Sequence, residues 1–80
     1  MTKYELVKDK LFNNFNYYIE KTIECKDLVE FSLIIGWFIV ESCEVISKSG
    51  LEYPDKKKLL FWVTDETNVL CELHKLNTKN

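Results

Sequence analysis

The chain has 80 residues, 46% apolar and 30% charged, with a formal net charge of −2. That length holds one core, so residues 1–80 read as a single domain, and the composition excludes a disordered or fibrous chain. Every basic residue is Lys, and between residues 27 and 53 the acids Asp27, Glu30, Glu41, Glu44 and Glu52 are set against Lys48 alone. Phosphate recognition needs clustered positive charge, so direct nucleic-acid binding is disfavoured, with Lys56–Lys58 the longest basic run.

Ala, Arg and Gln are absent while Lys, Asn and Ile are plentiful. Such a bias is the compositional mark of an AT-rich coding sequence, of the kind carried by phages and other mobile elements. Cys25, Cys43 and Cys71 are odd in number and far apart in sequence, unlike the even sets of secreted disulfide scaffolds. The N-terminus lacks a basic stretch leading into an apolar one, so the expected compartment is a reducing cytoplasm. Small chains need large buried groups, and two Trp, five Phe and four Tyr supply them.

Residues 2–24 form the first predicted helix. Thr2 and Glu5 fit a capping box, and Tyr4, Val7, Leu11, Phe15, Tyr18 and Thr22 recur at helical spacing. Phe12, Ile19 and Ile23 widen that apolar stripe. Asp9, Lys10, Asn13, Asn16, Glu20, Lys21 and Glu24 occupy the opposite face.

Asp27 and Glu30 read as a second capping box, opening a helix that runs to about Lys48. Gly50 suits the left-handed residue that ends a helix, and Pro54 stops continuation soon after. Leu28, Phe31, Ile35, Phe38, Ser42, Val45 and Ile46 make its core stripe, widened by Ile39.

The third segment, from Pro54 to Leu76, fits a helix with Leu59, Trp62, Val63, Val69, Leu70, Leu73 and Leu76 on one face and Glu66 as an intruder. A hairpin with strands LLFWV and VLCEL is the alternative, favoured by the weak helix formers Thr64, Asp65, Thr67 and Asn68. Leu59–Val63 is apolar at every position, however, and so lacks strand alternation. The expected fold is an all-α three-helix bundle, with two helices packed on a C-terminal β-hairpin as the alternative.

Residues 31–40, FSLIIGWFIV, carry no charge. Ten residues make about 15 Å of helix, half of what a bilayer core requires, so no membrane span is expected. Projected on a helix, the run divides. Phe31, Ile35 and Phe38 belong to the core; Val29, Leu33, Gly36, Val40 and, at the edge, Cys43 form a second side; Glu30, Trp37, Glu41, Glu44 and Lys48 form a third. The second side predicts contact with another helix of the bundle or of a second subunit, Gly36 marking a close backbone approach. Trp37, an aromatic among acids, has the composition of an interaction hot spot.

Chemistry has few candidates. Cys71 and His74 are three apart on a helix, but with Cys25 and Cys43 they match no zinc-module spacing, so no metal and no cofactor are expected. Two glycines leave no phosphate loop, and no orienting residue completes a Cys–His pair. Glu66 within an apolar stripe is a candidate for a raised pKa. Catalysis is not expected, since so small a chain rarely encloses a pocket.

In size, acidity and helical pattern the chain is similar in kind to bacteriocin immunity proteins and small phage inhibitors of host enzymes, although it carries no motif of either. The expected function is therefore non-catalytic protein binding of the inhibitor, antitoxin or immunity type. Trp37 would anchor a basic partner that Glu30, Glu41 and Glu44 attract. The alternative is a structural or regulatory homodimer joined through Val29, Leu33, Gly36 and Val40, and a thiol or metal site comes third.

Overall fold

Three helices account for nearly the whole chain in the computed structural model, which describes residues 1–78: α1 (Lys3–Glu24), α2 (Leu28–Ser47) and α3 (Tyr53–Thr78). Each packs against both others, giving a bundle 44 × 20 × 15 Å in extent. The hairpin alternative does not form. Residues 64–68 are helical, and two of their weak helix formers are accommodated by back-bonding: the Thr64 hydroxyl donates to the Leu60 carbonyl at 3.1 Å and that of Thr67 to Val63 at 2.8 Å.

Local chemistry fixes the helix ends. The Thr2 hydroxyl accepts from the Glu5 N–H at 3.1 Å, and the Glu5 carboxylate accepts from the Thr2 N–H at 3.2 Å, completing the first capping box. Asp27 caps α2 by accepting from the Val29 N–H at 3.2 Å. Glu30 does not return the bond, so this end is a simple cap rather than the expected box. Gly50 has φ +73°, and the Ser49 hydroxyl links the end of α2 to the turn, donating to the Ile46 carbonyl and accepting from Leu51. At the other end of the bundle, the Asn77 amide donates to the Ile23 carbonyl at 2.6 Å and the Cys25 carbonyl at 3.0 Å, tying the end of α3 to the otherwise open end of α1.

All three helices feed one core. Leu11, Phe38, Leu59 and Leu70 are fully buried. Phe15 lies 5.8 Å from both Phe38 and Trp62, and Tyr18 lies 5.7 Å from Phe38, in tilted or edge-on contacts suited to the ring quadrupoles. Val7, Phe15, Tyr18 and Thr22 of α1 and Phe31, Ser42 and Ile46 of α2 are buried as their spacing predicts.

Other positions differ from the periodic reading. Phe12 and Ile23 are about half exposed, and Leu28 is exposed at the start of α2. On α3 the buried line is Leu59, Val63, Leu70 and His74, whereas Val69 and Leu76 face solvent. A count of apolar side chains centred that stripe too far toward Val69 and Leu76. Packing instead turns α3 so that buried His74 lies toward its neighbours, while Glu66, expected within the stripe, is half-buried there.

No helix among the described residues is long and apolar enough to cross a membrane.

Candidate functional site

A helix in a three-helix bundle touches two neighbours, and α2 spends Phe31, Phe38, Ser42 and Ile46 on them. Its outward side is left uncovered, and that side is apolar. Val29 is 70% exposed, Leu33 62%, Trp37 60% and Val40 56%. Ser32, Leu33, Gly36, Trp37 and Val40 line one shallow depression. Trp37 thus stands on the same surface as the residues expected at a subunit contact, and the two candidate sites read from the sequence share one face. A contiguous exposed apolar patch on so small a domain is the usual mark of an interaction surface.

Gly36 lies near the centre of this face. Beyond its own helix backbone, a Cβ added there would meet no atom within 4 Å, so no other helix among the described residues makes the close approach that the residue would permit. This open space excludes another helix of the bundle as the neighbour that the sequence pattern offered for Gly36.

The acids distribute unevenly around Trp37. Glu30 is exposed and enters no ion pair among the described residues. Glu44 accepts from Lys48 at 2.6 Å, and that hydrogen bond, followed by the Lys48 charge, holds its carboxyl below the usual value. Glu41 is half-buried and turned toward α1, where Glu41 and Glu44 line a groove with Val7, Lys10 and Asn14. Burial raises the neighbouring Tyr18 hydroxyl to about 12, and Glu41 adds to the rise. Glu30 and Trp37 therefore border the outer face itself, Glu44 marks its C-terminal rim, and Glu41 belongs to the groove between α1 and α2.

The residues weighed for chemistry are Cys25, Cys43, Cys71, His74 and Glu66. No three His, Cys, Asp or Glu side chains among the described residues are grouped to hold a metal ion. His74 is buried against Phe31, while Cys43 and Cys71 are half-buried and Cys25 is buried with its thiol donating to the Asp27 carbonyl at 3.1 Å. Glu66 is half-buried, and its carboxyl is raised by desolvation and then by Asp65.

A second exposed apolar patch was not singled out from sequence. Tyr53, Leu60 and Phe61 lie exposed along the first half of α3, with the Lys57 ammonium 6.0 Å from the Phe61 ring. The i, i+4 spacing of Lys57 and Phe61 was the available signal.

Compared with known proteins, the chain matches no family model, no curated sequence and no solved structure.

Proposed function

We propose that the chain is a non-catalytic protein-binding module of the inhibitor, antitoxin or immunity type, working through the outer face of α2. The observation that carries this reading is the uncovered apolar strip from Val29 to Val40, with Trp37 60% exposed at its edge. Burying exposed apolar area releases about 25 cal/mol per Å², and a large aromatic beside smaller apolar groups is the usual anchor of such contacts. Glu30 and Glu44 at the rim add charge selectivity and a faster encounter with a basic partner.

The test is capture of a partner from a lysate of the native host cell by immobilised protein. Wild type retains a protein that Trp37→Ala and Leu33→Ser lose, while all three chains keep the same helical melting profile because both side chains lie outside the core. An identical set of retained proteins for all three would remove the reading.

A further inference from the structure

Resting on that reading, we propose that the occupant of the face is an amphipathic helix of another protein. It is apolar along its own heptad seam and carries Lys or Arg on the flank that meets Glu30 and Glu44. Val29, Leu33, Gly36 and Val40 follow one another at intervals of four, three and four, the spacing of a seam that receives a second helix. All four lie on the exposed side of α2. The strip spans roughly 16 Å, about three turns at 1.5 Å per residue. Gly36, with open space beyond its Cα, lets a second backbone or a bulky side chain come close.

The flanks of the seam decide what kind of helix fits. Glu30, Trp37 and Glu44 recur every seven residues along one flank, the position from which charged side chains select partners in paired helices. Ser32 and Ile39 lie along the other flank, which is uncharged. Within α2 itself the flanks of a second copy therefore offer no cation to either carboxylate, the lysines beside the uncharged flank, Lys56 and Lys57, standing on α3 near Ile46 and Ser47. In a parallel pair opposite flanks meet, and Glu30 and Glu44 face Ser32 and Ile39 of the second copy. In an antiparallel pair like flanks meet, and Glu30 is brought toward Glu44 of the second copy. One arrangement desolvates carboxylates without compensation and the other opposes like charges. A partner helix with Lys or Arg on its contacting flank satisfies both carboxylates, with Trp37 packed between them. The Glu44–Lys48 pair does not prevent this, because both side chains are more than half exposed and such surface pairs exchange at little cost.

Two labelled synthetic peptides test the inference. Both are amphipathic helices with the same Leu/Ile heptad seam, one with Lys and the other with Glu at the flanking positions. Binding to the full chain is read by fluorescence anisotropy at about 150 mM salt, where distant charges are screened. The Lys peptide binds wild type roughly tenfold or more tightly than the Glu peptide. Trp37→Ala weakens the Lys peptide by a similar factor, and the double variant Glu30→Lys, Glu44→Lys reverses the preference.

Equal affinity of the two peptides for wild type, a comparison that needs no variant, would overturn the proposal. So would a preference that the double variant leaves unchanged, or a wild-type dimer in sedimentation equilibrium that Trp37→Ala dissociates, since a second copy would then be the occupant. A native partner captured in a Trp37-dependent way, with no preference between the peptides, removes the basic-helix occupant and leaves the binding module standing. Capture that ignores Trp37 removes the binding module itself.

Discussion

Phe31 and His74 stack face to face across the α2–α3 contact, with ring centroids 4.1 Å apart and planes 1° from parallel. The imidazole is buried, and its Nε2 has no hydrogen-bond partner among the described residues. An unpaired buried polar atom costs about 1–3 kcal/mol, whereas the ring itself contributes packing. His74→Phe keeps a ring against Phe31 and removes the orphaned nitrogen, so it is expected to stabilise the fold by about 1 kcal/mol in urea unfolding. His74→Ala keeps neither and is expected to cost about 2–4 kcal/mol. A destabilised Phe variant would show that the site lacks room for the extra ring atom, not that the nitrogen is harmless.

Tyr18 makes stability depend on pH at the alkaline end. Its hydroxyl is raised from 10.0 to about 12, first by burial and then by Glu41, so the folded chain resists ionising it. The unfolded chain ionises near pH 10. The stabilisation is therefore complete below pH 10 and is lost progressively between pH 10 and 12, up to roughly 2–3 kcal/mol. Tyr18→Phe should lose less stability than wild type between pH 9 and pH 11. Lys titration is common to both chains, so the difference between their urea midpoints isolates the phenol. Parallel decline of the two midpoints would mean that Tyr18 ionises without unfolding the core.

The bundle was legible in the sequence because its signals are local and redundant. Thr2 with Glu5, Asp27, and Gly50 before Pro54 mark helix ends chemically, and the Val7–Leu11–Phe15–Tyr18–Thr22 run repeats its period over four turns. The orientation of α3 was less legible. Its outcome depends on which of Val69, Leu76, Glu66 and His74 meets α1 and α2, and periodicity scores apolar character without knowing the neighbours' shapes. The candidate site was legible only in parts. Trp37 and the Val29–Val40 side appeared separately, and whether a helix of this chain covered them was a tertiary question that a helical projection cannot answer.

Glu66 gives a second pH effect of the same sense, at the acid end. Desolvation on the half-buried side of α3, with Asp65 adjacent, raises its carboxyl above the ordinary value. A raised carboxyl disfavours the folded state while ionised, and the penalty is relieved as pH falls through the folded pKa toward the unfolded one. Glu66→Gln should therefore be more stable than wild type at pH 7, by less than about 1 kcal/mol for a group that keeps contact with solvent. Near pH 3, where both states of wild type are protonated, the two chains should have the same midpoint. An advantage of Gln that persists at pH 3 would come from packing rather than charge.

Gly36 separates what the fold needs from what the outer face of α2 needs. Mid-helix Gly is less favourable than Ala by about 1 kcal/mol, because its backbone has more freedom to lose. Beyond its own helix backbone, no atom lies within 4 Å of a Cβ built there, so Gly36→Ala adds no clash and should stabilise the isolated chain by about 0.5–1 kcal/mol. The same methyl stands between Leu33 and Val40, in the middle of the proposed seam. A helix docked closely there must back away or repack, so Gly36→Ala should weaken binding of the Lys-flanked peptide while raising the melting temperature. Opposite signs in the two measurements would show that the glycine serves the contact at the expense of the fold. A stabilised variant that binds as wild type would place the docked helix nearer Trp37, away from the glycine.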